Sequence, residues 1–186
     1  MASLRGTQTE KNILTAFSGE SQAHMRYKIW GDVAQKEGFP KIGKLFYAVS
    51  FAEQIHATSH FSVHKDLAGA FLVNAMAGFG IGRTRENLVN ALEGENFEIN
   101  EMYPTYKNTA EFQGEKNAER SFLWALETEK EHAKLFQKAR EAVEGKKDMD
   151  FKSIYVCKVC GYTHEGEPPD KCPLCGAPKE KMEIFK

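Results

Sequence analysis

The first 156 residues contain no cysteine. All 4 cysteines fall between Cys157 and Cys175, which excludes the dispersed disulfide framework of a small secreted fold and leaves a local metal site. Charge of either sign is not in surplus: 25 basic and 26 acidic residues give a net charge of −1. A nucleic-acid footprint or a polybasic membrane tether needs an excess that is missing here. Long apolar runs are also missing. The longest, "AGAFLVNAMAGFGIG", is broken by Asn74 and by glycines and is too short to cross a bilayer. The N-terminus, "MASLRGTQTEKN", has no apolar core of a secretory signal. The expectation is a cytoplasmic protein with neither nucleic acid nor membrane as partner.

What the chain does contain is helical periodicity. A first helix opens at Thr7, where T-Q-T-E matches a capping box with Glu10 at N3, and runs to about Glu37 before Gly38. A second starts with Pro40 in its first turn and runs to about Lys65. A third begins after Thr84 and ends near Gly114, and a fourth stops at Gly145. Each is about 40 Å long at 1.5 Å per residue. The first and last connections are short, so those pairs are antiparallel neighbours. The middle one, Asp66 to Arg83, reaches about 60 Å when extended, enough to run the length of a bundle. The expected fold is an all-α four-helix bundle over residues 1–145, ferritin-like with one long crossover. Residues 146–152 read as a solvated tether. Residues 153–186, rich in Cys, Pro and Gly, are too few to hold a core without a metal.

Acid interrupts every buried stripe. The first helix has Glu20 among Ile13, Phe17, Ala23, Tyr27 and Trp30. The second has Glu53 and His56 after Leu45, Phe46 and Val49. The third runs Leu88, Leu92, Glu95, Glu98, Met102, Thr105, and the fourth has Glu129 and His132 between Phe122 and Phe136. A lone buried carboxylate costs several kcal/mol unless paired or metal-bound, and several at one level repel each other. A pair of cations neutralises the set. Glu-x-x-His occurs twice, at Glu53/His56 and Glu129/His132, and residues i and i+3 share a face. With single glutamates on the other two helices this is the di-iron carboxylate pattern of ferritin-like bundles. Mixed carboxylate and imidazole donors suit iron or manganese. In contrast, Glu127 and Glu131 lie about 200° from the metal face at 100° per residue and can pair with Lys130 and Lys134 in water.

The C-terminal module repeats C-x-x-C, at Cys157/Cys160 and Cys172/Cys175, each followed by glycine, Gly161 and Gly176. Two such knuckles make a tetrahedral thiolate site, for iron or, with nearly the same spacing, zinc.

These elements resemble the rubrerythrin family, a ferritin-like di-iron domain fused to a C-terminal rubredoxin-like domain. The resemblance covers essentially the whole chain and is carried by Glu20, "EQIH" at 53–56, "GENFEINEMYP" at 94–104, "ETEKEH" at 127–132 and "CKVCGY…CPLCG". It implies that Glu53 and Glu129 bridge two irons, that Glu20 and Glu98 serve one of them, and that Glu95 and His132 serve the other. His56 is implied to replace Glu98 when the site is reduced. Tyr27 and Tyr103 are implied to hydrogen-bond the carboxylates, and Cys157, Cys160, Cys172 and Cys175 to hold a single iron. The implied activity is reduction of hydrogen peroxide to water, of the NADH peroxidase type, with a separate rubredoxin/NAD(P)H reductase as electron donor. The implied assembly is a homodimer with the rubredoxin-like domain of one subunit beside the di-iron centre of its partner. A ferroxidase or iron-storage protein with a structural metal ribbon is the alternative; the fused thiolate iron and the extra Glu98 favour the peroxidase. His24, His60 and His64 are read as non-ligands, with His60 and His64 away from the acids, and His164 as a surface residue. The apolar crossover is expected to pack on the bundle or on another subunit.

Overall fold

The computed structural model describes residues 4–63 and 69–186. Helix α1 (Gln8–Lys36) is capped by Thr7, whose hydroxyl accepts the Glu10 N–H at 3.1 Å. Glu10 reaches back one residue further than a capping box requires and accepts the Gly6 N–H at 2.5 Å. The turn at Gly38, φ +87°, leads into α2 (Pro40–Ser62). Lys65, where the second helix was expected to end, lies outside the described residues, as do His64 and Asp66.

The third helical run is continuous but not uniform. Helix α3 (Thr84–Phe97) passes through a π turn (Glu98–Met102) into α4 (Tyr103–Phe112). The Tyr103 N–H bonds the Glu98 carbonyl, five residues back. Pro104 follows at once; it has no N–H to continue the regular ladder, and its ring crowds the preceding turn. The wider turn changes which residues face inward. At about 100° per residue, Tyr103 would sit about 80° from Glu95; absorbing one residue brings it to within about 20°. Tyr103 is fully buried. Thr105, expected on the inner stripe, is carried outward and is exposed.

Helix α5 (Lys116–Glu144) completes the bundle, packing along α3 and α4 as α1 packs along α2. Two apolar zones fill it. One gathers Tyr27, Trp30, Phe46, Leu88 and Phe136. The other gathers Ile13, Tyr103, Ala118 and Phe122. The crossover lies along α1, with Gln22 donating to Ala75 O, Arg26 to Gly78 O and Trp30 Nε1 to Gly80 O at 3.0 Å. Its outer face stays open: Leu72 is 90% and Met76 100% exposed. No helix among the described residues is long and apolar enough to cross a membrane.

The segment after α5 is not a solvated tether. Asp148 accepts the N–H groups of Lys41 at 2.7 Å and Ile42 at 3.1 Å, so it caps α2, whose own N-cap position, Phe39, has no side-chain acceptor. Met149 and Phe151 are buried in the apolar zone around Phe46. Composition could not show this, because the cap and its helix are more than a hundred residues apart. Asp148→Ala is expected to cost about 1 kcal/mol, as loss of a helix cap does, measured by urea unfolding. Strands β1 (Ile154–Cys157), β2 (Thr163–Glu165) and β3 (Met182–Phe185) form an antiparallel sheet in the order β2-β1-β3. Ile154 and Val156 of β1 join the bundle's apolar zone, and Phe185 packs on Phe51 of α2. The sheet therefore sits against its own chain's bundle.

Candidate metal centres

Glu20, Glu53, His56, Glu95, Glu129 and His132 come from four helical runs and meet between the two apolar zones, none more than 2% exposed. Their donor atoms form two overlapping sets: Glu20, Glu53, His56 and Glu129, and Glu53, Glu95, Glu129 and His132. Within each, the atoms lie within 4.8 Å of one another.

The doubled Glu-x-x-His produces a near-symmetric arrangement. His56 Nδ1 is 2.9 Å from Glu53 Oε2 and 2.8 Å from Glu129 Oε1. His132 Nδ1 is 3.2 Å from Glu53 Oε1 and 2.5 Å from Glu129 Oε2. Each of these two glutamates thus divides its oxygens between the two imidazoles. Of these two imidazoles, Glu20 Oε1 approaches that of His56, at 4.0 Å, and Glu95 Oε2 that of His132, at 3.6 Å. The approaches are close, yet both Glu129 oxygens, Glu20 Oε2, Glu95 Oε2 and His132 Nδ1 have no partner in hydrogen-bond geometry. Buried lone pairs aimed at common points without a donor are what a pair of cations would satisfy.

The tyrosines hold the outer carboxylates. Tyr27 donates to Glu95 Oε1 at 2.5 Å, and Tyr103 donates to Glu20 Oε1. Glu98 belongs to neither set. It keeps partial exposure at a cavity of about 480 Å³ lined by Gly19, Ala75, Phe97, Met102 and Tyr106.

His60 was expected away from the acids and is not. It is fully buried, 3.9 Å from Glu20 Oε1, with Nε2 3.1 Å from the Tyr103 hydroxyl and Nδ1 2.8 Å from Ser121 Oγ. It supports the tyrosine that holds Glu20, and burial pushes its pKa down to about 3, so it stays neutral. The i, i+4 spacing from His56 was the signal; only the position of α4 gives it meaning. His24 instead ties α1 to α2 through Ser50, with Nδ1 2.8 Å from Ser50 O. His164 is exposed and pairs with Glu131 at 3.3 Å. Glu127 and Glu131 pair with Lys130 and Lys134, each at 2.6 Å, on the outer face as expected.

Without metal, protons neutralise the cluster. Burial, followed by repulsion from Glu129, pushes Glu95 up to about 8. For His56, burial acts downward, but Glu129 and Glu53 together raise it to about 10. Both groups therefore hold protons at neutral pH and must lose them to ligate. Metal uptake is expected to release protons, and apparent affinity to rise with pH up to about 8 and beyond, toward 10. Calorimetric titration in buffers of different ionisation enthalpy checks this; an observed heat independent of buffer would contradict it.

In the small domain Cys157 Sγ is 3.6 Å from Cys175 Sγ, and Cys160 Sγ 3.6 Å from Cys172 Sγ. All four are free thiols and converge on one point. A tetrahedron with metal–sulfur bonds of about 2.3 Å has edges of nearly this length. Gly161 and Gly176 take φ +82° and +76°, the left-handed turn that closes each knuckle. Backbone N–H groups of Val159 and Cys160 bond the Cys157 sulfur, and those of Leu174 and Cys175 the Cys172 sulfur.

The two centres touch. Gly161 packs so tightly on the His56 ring that a Cβ there would lie 2.3 Å from Nε2. His132 Nε2 is 3.0 Å from the Thr163 hydroxyl. The first knuckle thus faces the acids of its own chain.

Comparison with known proteins agrees with this geometry. Residues 11–140 match the family model described as Rubrerythrin, and residues 155–183 the one described as Rubrerythrin, rubredoxin-like domain. Rubrerythrin-2 of Clostridium acetobutylicum is 45% identical over 183 residues, covering 98% of this chain and 100% of that protein. Rubrerythrin of Nitratidesulfovibrio vulgaris is 39% identical over 190 residues, covering 100% and 98%. A solved structure described as the fully reduced, all-ferrous state of nigerythrin superposes with a TM-score of 0.84 at 27% identity, over 98% of this chain and 91% of that one. The chain belongs to the rubrerythrin family, with a di-iron carboxylate–histidine site in a ferritin-like bundle and a four-cysteine, rubredoxin-like site consistent with iron.

Proposed function

We propose that this chain reduces hydrogen peroxide to water at the bundle site, using electrons relayed from the four-cysteine iron. The observation that carries the reading is the contact between the two centres: the knuckle of Cys160 and Gly161 lies against His56, and Thr163 against His132. An iron-storage protein has no use for a thiolate iron docked on its acid layer.

In this reading residues 1–145 form the di-iron domain and 153–186 the iron-thiolate domain. Two ferrous ions would supply one electron each to the peroxide O–O bond, and two waters leave once protons are added. The protein's part is positional. Glu53 and Glu129, with their oxygens divided between the two histidines, would bridge. Glu20 and His56 would serve one iron, Glu95 and His132 the other. Tyr103 and Tyr27 restrain Glu20 and Glu95, and the two apolar zones keep bulk water from the centre. Glu98, at the cavity edge, would join the first iron when it is ferric, adding an anion as positive charge increases. The cavity beside it gives a small oxidant an approach. A separate NAD(P)H-dependent reductase of the rubredoxin type would refill the four-cysteine iron of a cytoplasmic homodimer.

Steady-state assay with an excess of reductase separates this from storage. Peroxide should be consumed with one NAD(P)H oxidised per peroxide, far faster than dioxygen. Slow peroxide turnover, together with Fe(II) oxidation by dioxygen and iron uptake into large assemblies, would favour the ferroxidase.

A further inference from the structure

Thr163 is fully buried, and its single hydroxyl proton is already committed. It donates to the Gly161 carbonyl at 2.8 Å, an oxygen that can only accept. Toward His132 Nε2, 3.0 Å away, the same oxygen can therefore only accept, so Nε2 carries the hydrogen. The other ring nitrogen, Nδ1, is the one that points at Glu53, Glu95 and Glu129. His56 has no such support: its Nε2 lies against Gly161 without a hydrogen-bond partner.

We propose that Thr163, a residue of the four-cysteine domain, is a positioning residue for the bundle site: it fixes His132 as an Nδ1 donor and joins it by two hydrogen bonds to the knuckle backbone. The ordered line runs from the Cys160–Gly161 backbone through the Gly161 carbonyl and the Thr163 hydroxyl to the His132 imidazole. Partners on the far nitrogen of a ligating histidine set its tautomer, its ring orientation and its basicity. Here that partner comes from the other domain, so docking of the small domain and the ligand set of the second metal are one event. The two histidines are made unequal by this contact, His132 being held by a hydrogen bond on its far nitrogen and His56 having none there. The inference rests on the di-iron reading above and adds to it a division of labour between the histidines.

Thr163→Val keeps the branched shape and removes the hydroxyl; Thr163→Ser restores it. In the full chain loaded with iron, Thr163→Val is expected to weaken iron binding on the His132 side about 10–100-fold while the four-cysteine chromophore persists. In the diferrous protein the shifted imidazole N–H resonance of His132 should exchange slowly with water in the wild type and rapidly in Thr163→Val. Thr163→Ser should recover both properties. Wild-type iron affinity and a slowly exchanging His132 N–H in Thr163→Val would overturn the inference while leaving the di-iron reading intact. A wild-type chain that takes up no iron pair in the bundle would overturn both.

Discussion

Glu129→Ala is expected to empty the bundle of both metals while the four-cysteine site stays filled. Each oxygen of Glu129 faces a different histidine, at 2.8 and 2.5 Å, so its loss removes a donor from both sets at once. No other single change among the candidate ligands except Glu53 touches both. The metal-free protein should suffer as well. Glu129 is held well below the usual carboxylate range despite its burial, by the charges of His56 and then His132. Those two imidazoles are raised in turn, chiefly by Glu129 acting against burial. Removing Glu129 leaves buried cations with Glu53 as the main counter-charge, a loss of about 3–5 kcal/mol by analogy with broken buried ion pairs. Glu127→Ala, two residues earlier, breaks only a half-exposed pair with Lys130 and should cost less than about 1 kcal/mol. Iron analysis and denaturant unfolding of the two variants read both effects.

The second large effect is expected at Gly161. A Cβ there would meet His56 Nε2 at 2.3 Å, Cδ2 at 2.6 Å and the Ala52 carbonyl at 3.3 Å. Gly161→Ala must therefore push the knuckle off α2 or turn the His56 ring, besides straining a left-handed backbone. Gly176→Ala is the internal control. Its φ is nearly the same, +76° against +82°, but nothing lies within 4 Å of its Cβ. It should carry only the backbone cost, about 1–2 kcal/mol. Thermal unfolding should show Gly161→Ala as the more damaging of the two. Transfer of electrons from the four-cysteine iron into the bundle should slow in Gly161→Ala alone.

The contrast between these two glycines shows what a sequence can carry. Both knuckles read alike, because C-x-x-C-G describes a local turn, and the turn is the same in both. That one of them closes on a histidine of a distant helix is a tertiary fact. The bundle site was legible for the opposite reason. Glu53/His56 and Glu129/His132 combine a local spacing with acid in a buried stripe, an anomaly expensive enough to need an explanation. Glu20 and Glu95 follow from the same anomaly. The π turn at Glu98–Met102 was not legible, since a regular period places Thr105 inside and says nothing of the extra residue. Pro104 was its local trace. Asp148 escaped for want of any marker, a charged residue in a charged stretch that caps a helix far away in sequence. His60 was read by its distance along α2 alone, and its contact with Tyr103 depends on where the π turn aims α4.

Electron flow between the two centres is tested most directly by a single turnover. The protein, with both iron sites fully reduced under anaerobic conditions, is mixed with one equivalent of hydrogen peroxide in a stopped-flow instrument. The ferric four-thiolate absorption and the ferric di-iron absorption are followed together. With the bundle as the point of attack, the di-iron absorption appears first, and the four-thiolate absorption rises in a second, slower phase as that iron passes its one electron inward. Gly161→Ala should retain the first phase and slow the second. Oxidation of the four-cysteine iron by peroxide at the same rate in a chain whose bundle site has been emptied by Glu129→Ala would contradict the account.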